Sequence, residues 1–205
     1  MEQMKKPFAK GDPLMSKTAE IVTSYFAKQG AINTEKTLAL ARSRADALNI
    51  STIVVASGTG ATGVKAARIF QGFNLVVVAG AVGYPEPNKT RMHDENRSII
   101  EGSGGCVLSA GHAFGMLGRA VKQKFGAIQI DELIAHVLRL FSVGVKVGCE
   151  ISCMAVDAGL IRCGLETIAI GGSGGGADTA IVLRPSNTHT FFDTRILEII
   201  CKPRG

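Results

Sequence analysis

The chain has 205 residues, 46% of them hydrophobic and only 5% aromatic, with no Trp and a formal net charge of +6. That length and apolar content exclude a disordered or fibrous chain and fit one α/β domain with an aliphatic core. The positive balance favours anionic ligands, but Lys5, Lys6 and Lys10, and Arg42 with Arg44, lack interleaved aromatics, so no nucleic acid is expected.

In chain order, residues 1–14 read as a mobile tail and 15–205 as a single domain. Met15, Ile21, Val22, Tyr25 and Phe26 predict a helix over 15–29. Asn33-Thr34-Glu35 starts a second helix, continued by Leu38, Ala41, Ala45 and Leu48. A strand over 52–56 meets a glycine turn, and a helix follows to Phe70. The run from Asn74 to Ala79 is continuously apolar after its first residue, as in a parallel strand buried on both faces. Residues 80–91 form a long loop with two prolines. A helix near 92–101 and a strand near 106–109 come next. Helices near 116–125, 131–142 and 146–160 lead to strands at 167–170, 179–183 and 196–201. Strands alternating with helices predict α/β with a mainly parallel sheet.

The most informative stretch runs from Val54 through Ser57-Gly58-Thr59-Gly60-Ala61-Thr62-Gly63. Strand, glycine turn and helix form a geometry that holds phosphate. Small residues uncover the N–H groups, and the first helical turn presents unpaired donors with a favourable dipole. Ser57, Thr59 and Thr62 add hydroxyls. Gly58-x-Gly60-x-x-Gly63 matches a dinucleotide fingerprint, but the second strand ends Val78-Ala79-Gly80-Ala81 without the acidic ribose clamp, so NAD is not expected.

A second glycine cluster, Gly171 to Gly176, follows a different strand and is expected to face the first turn across the sheet's switch point. That places Gly172, Ser173, Gly174 and Asp178 at the ligand. Gly83 and Tyr84 join them from the proline loop, Tyr84 as a ring that can stack. Ser109 and His112 join from a third small-residue turn, His112 as a hydrogen-bonding or acid/base group. Glu150 and Asp157 share a helix face and read as structural pairs, with Lys146 and Arg162 as counter-charges. Five cysteines without a CxxC indicate a reducing, cytoplasmic setting. Cys149 and Cys153 lack partners at ligand spacing, so no metal is expected. No apolar run approaches the roughly 20 residues of a membrane span, so no membrane partner is expected.

Several of these stretches resemble the stand-alone relatives of the pyruvate kinase C-terminal (alpha/beta) domain in archaea and bacteria. The matching stretches are Ile53 to Ser57 with its turn, Ser109 to His112, Lys146 to Ile161, Ile168 to Ala180, and Phe192 to Pro203. The resemblance implies a three-layer α/β/α sandwich with a five-stranded sheet in order 3-2-1-4-5, the last strand antiparallel. It implies FMN as cofactor, held as a small phosphorylated ligand at the loops after strands 1 and 4. Pyruvate kinase activity is not implied, because that chemistry belongs to a separate barrel domain. A small flavoprotein, a module sensing a phosphorylated metabolite and an assembly domain all remain open, as does homo-oligomerisation.

Overall fold

The structure is a computed structural model and describes residues 20–205. The expected tail over 1–14 and the first part of the expected helix over 15–29 lie outside the described residues. Strand β1 (Ser24–Phe26) is followed by α1 (Thr34–Leu48), β2 (Thr52–Ala56), α2 (Ala61–Ile69) and β3 (Asn74–Val78). Next come α3 (Asp94–Gly102), β4 (Cys106–Leu108), α4 (Met116–Phe125), α5 (Ile130–Arg139) and α6 (Val143–Asp157). The chain ends with β5 (Thr167–Gly171), β6 (Thr179–Arg184) and β7 (Arg195–Pro203).

The strands form one sheet in the order β1-β7-β6-β5-β2-β3-β4. The expected order 3-2-1-4-5 is present as β4-β3-β2-β5-β6, with β6 antiparallel to β5. The expected count of five strands is corrected to seven. Strand β7 pairs antiparallel with β6, and β1 pairs parallel with β7 through Ser24–Cys201 and Phe26–Pro203. Tyr25, expected in a helix, lies in that edge strand. Its partners are far away in sequence, so local spacing carries no trace of the pairing.

Strand residues alternate between two cores. Ile53, Val55, Leu75, Val77, Ile168 and Ile170 pack with Leu38, Ala41 and Ala45 of α1 and with Ala66 and Ala67 of α2. Val54, Val76 and Val78 face the opposite way, against Ile151, Met154 and Ala155 of α6. Helices therefore cover both faces, which is why the central strands read as unbroken apolar runs. Each fully buried Val, Ile or Leu contributes about 1.5–3 kcal/mol relative to exposure. Among the described residues no helix is long and apolar enough to cross a membrane.

Helix α6 is capped by the Ser142 hydroxyl, which accepts the Val145 N–H at 3.0 Å. Small residues let it lie close on the sheet. A Cβ at Gly144 would sit 2.2 Å from Thr179 Oγ1, and one at Gly148 would sit 3.0 Å from Ile181 Cδ1. Nearly every residue of α6 is buried, including the charged Lys146 and Glu150.

Candidate functional site

Strands β2, β3, β4 and β5 are parallel and end on one sheet edge. From β2 the chain continues to β3 on one side, while β5 lies on the other. That is the switch point where open α/β sheets leave a crevice. A cavity of about 320 Å³ lies there. Its floor is the backbone of Ala56 to Gly58 and Val78 to Ala81. Its walls carry Tyr84, Arg91, His112, Arg119, Lys146 and Glu150, with Val147 and Ile151 as apolar lining.

Three cationic side chains and one carboxylate line this space, a formal excess of two positive charges when His112 is neutral. Lys146 and Glu150, one helical turn apart, form a buried ion pair. The other Glu150 oxygen accepts the Phe114 N–H at 3.0 Å. Burial lowers the Lys146 amine from its usual range, against the opposing pull of Glu150, with Arg139 and Arg119 lowering it further. Burial also lowers the His112 imidazole below 6.5, opposed by Glu150 and reinforced by Lys146 and Arg119, so His112 is neutral at pH 7.

Arg119 donates to the Tyr84 hydroxyl, and its guanidinium lies 4.9 Å from the Tyr84 ring centroid. Its Nε is buried without an acceptor among the described residues. Tyr84 and His112 meet edge to face at 6.3 Å. Gly80 leaves room for the imidazole, since a Cβ there would lie 3.3 Å from His112 Nε2. Gly58 lies beneath Arg91, whose guanidinium carbon would be 3.6 Å from an added Cβ.

Of the residues singled out from sequence, Ser57, Gly58, Tyr84 and His112 line the cavity. Ser57 also caps the start of α2, where its hydroxyl accepts the Gly63 N–H at 3.0 Å. Thr59 turns its carbonyl to the His93 N–H and the Asn96 amide. Gly60 (φ 92°) leaves no space for a side chain, because a Cβ would be 2.5 Å from Asn96 Cβ. Gly63 is equally confined by Ile100 and Val77. These two glycines are therefore required by packing against α3 and β3 alone. Thr62 is buried, and Ala61 is exposed at the first helical position. The N–H groups of residues 58–62 have no protein acceptor among the described residues. Gly83 N–H bonds the Lys89 carbonyl within the proline loop, and the Ser109 hydroxyl accepts from Arg97 at 3.2 Å.

The second glycine turn was expected to face the first; it leaves the adjacent strand β5 and takes no part in the lining of this cavity. Gly172, Ser173, Gly174 and Asp178 are absent from the lining. Asp178 is fully buried. It accepts the N–H groups of Gly30 at 2.8 Å and Ser173 at 3.2 Å, and the Thr179 hydroxyl at 2.9 Å. The Ala177 N–H donates to Thr34 Oγ1 at 3.0 Å. The turn is thus fastened to the segment before α1, leaving Gly174 and Gly175 exposed.

Glu150 and Asp157 are not a carboxylate pair. Asp157 accepts from Asn187 and Thr188, and those hydrogen bonds hold its carboxyl below the usual range despite burial. The thiols of Cys149 and Cys153 are pushed up to about 12 by burial, so both are protonated at neutral pH. Arg91, Arg119, Lys146 and Glu150 were not assigned to the site from sequence. The sequence drew attention to Glu150 through its spacing to Asp157 and to Lys146 only as a counter-charge; the signal that would have found them is two charged residues one turn apart in an apolar helix. Nothing local marked Arg119, on an amphipathic helix. A scan of the chain against protein-family models finds no family that matches.

Proposed function

We propose that the chain binds a phosphorylated small molecule in the cavity at the ends of β2 and β3, with FMN as the leading ligand. The observation that carries this reading is the concentration of Arg91, Arg119 and Lys146 around a crevice with a single carboxylate. In this reading the phosphate pairs with Arg91 over the Gly58 N–H, with the other unclaimed N–H groups of residues 59–62 next along the turn, outside the cavity lining. Tyr84, Val147 and Ile151 offer an aromatic and aliphatic surface for a ring. FMN is named on the strength of the motifs shared with the pyruvate kinase C-terminal-like family, of which we take this chain to be a stand-alone member. That family's three-layer sandwich is the fold we assign, extended here by two strands. The five cysteines are free, which fits a reducing, cytoplasmic setting.

An absorbance spectrum of the purified protein, followed by calorimetric titration with FMN, riboflavin and sugar phosphates, tests the reading. Flavin bands, or FMN binding much tighter than riboflavin, support it. Sugar-phosphate binding without FMN binding assigns the cavity to metabolite sensing. Equal affinity for FMN and riboflavin removes the phosphate from the argument.

A further inference from the structure

Helix α5 is apolar on two faces. Ala135 and Leu138 pack inward on the core beneath α6. Asp131 and Glu132 are turned toward α4, the first against Gly118 and the second 3.4 Å from the Lys122 amine. The outward stripe is Ile130, Leu133, Val137 and Leu140, which are 76%, 54%, 52% and 83% exposed. Their 3-4-3 spacing is that of a coiled-coil seam. A helix that is apolar on opposite faces is built to be covered on both. Ile128 and Phe141, next to its ends in sequence, are 62% and 54% exposed. Six large apolar side chains more than half exposed reach the scale of a monomer's largest apolar patch, ~300–600 Å², against the ~800 Å² that each partner contributes to a standard interface.

We propose that this stripe is the contact face of a homodimer in which two copies of α5 pack antiparallel about a two-fold axis. Symmetry selects a second copy as the occupant. An isologous contact must be complementary to itself, and a 3-4-3 pattern reads the same in both directions. An axis level with Ala135 sets Leu133 opposite the partner's Val137, and Ile130 opposite the partner's Leu140. Charge does not oppose it: Ile130, Leu133, Val137 and Leu140 are uncharged, Asp131 and Glu132 face α4, and the exposed His136 and Arg139 lie beside the stripe rather than in it. The proposal does not depend on the identity of the cavity ligand.

Sedimentation velocity of the full chain over a micromolar range is the test, with Leu133→Glu and Val137→Lys as variants. The parent is expected to sediment with twice the mass of one chain. Each variant alone buries unpaired charges at the seam and should weaken association about a hundredfold. Both positions are exposed, so the urea midpoints of the dissociated chains should be unchanged. Mixing the two variants should restore a dimer, because the introduced carboxylate of one chain faces the introduced amine of the other. A monomeric parent overturns the proposal, as does a dimer that survives either substitution. Failure of the mixture to associate overturns the antiparallel register. Binding of a monomeric parent to anionic phospholipid vesicles assigns the stripe to a membrane surface instead.

Discussion

The turn after β2 and the turn after β5 leave the same sheet edge from adjacent strands, and both consist largely of glycine and hydroxyl residues. Their surroundings differ. Behind the second turn lies the backbone entering α1: a Cβ at Gly176 would be 2.3 Å from Thr34 Oγ1 and 2.6 Å from Ala31 Cα. Before the first turn lies a cavity, with Arg91 over Gly58. The second turn ties its ends down, Ser173 N–H to Asp178 and Ala177 N–H to Thr34, while the N–H groups of Gly174 to Gly176, like those of residues 58–62, have no acceptor among the described residues. Glycine content therefore does not tell an open turn from a tight junction, and neither does the count of unclaimed N–H groups; what differs is what packs behind each turn.

The largest effect that would sharpen this contrast belongs to the second turn. Asp178→Ala strands two backbone N–H groups and a buried hydroxyl, and should destabilise the fold by about 3 kcal/mol or more. Urea unfolding measures it. Ligand affinity, read on protein that remains folded, should stay within a few-fold of the parent. A strong loss of affinity at unchanged stability would return Asp178 to the binding site.

A smaller free-energy change is expected on the other side. Arg91 is exposed and has no carboxylate partner among the described residues. Arg91→Ala should leave stability within about 0.5 kcal/mol while weakening FMN binding roughly ten- to hundredfold, as expected for a hydrogen bond to a charged group. Calorimetry with both variants crosses the two effects. An Arg91→Ala protein that binds FMN like the parent would break the assignment of the first turn.

The smallest effect is a pH slope. His112 has a folded-state pKa below its unfolded value of 6.5, so the unfolded chain binds more protons between the two. Stability is therefore complete above about pH 6.5 and falls as pH drops from there through the lower folded value. Unfolding midpoints between about pH 8 and pH 5 should show a loss on acidification that His112→Gln reduces. An identical slope in the variant would place the titrating group elsewhere.

Much of the element order was legible because β2, β3, β5 and α2 are strongly patterned and bounded by glycine. Strand β1 was not. It has three residues, and its spacing with Ile21 and Val22 imitates a helix until Cys201–Pro203 supplies a partner. The site was legible only in outline. Ser57, Gly58, Tyr84 and His112 reach the cavity, but Gly60 and Gly63 answer to Asn96, Met92, Ile100 and Val77. A close approach of backbone to phosphate and a close approach of helix to helix require the same residue. Arg119 reaches Tyr84 across 35 positions, a relation that no local pattern records.

The buried pair of Lys146 and Glu150 has a consequence for substitution. Removing either partner leaves an uncompensated charge beside the cavity, at a cost of about 3–5 kcal/mol, a large fraction of what holds an ordinary domain together. Exchanging both for apolar residues of similar volume is often neutral or favourable. Here the double step also strands the buried Phe114 N–H that Glu150 accepts at 3.0 Å, so it too carries a cost. Glu150 thus answers to two partners at once, the Lys146 amine and the Phe114 backbone, and ties α6 to the segment before α4.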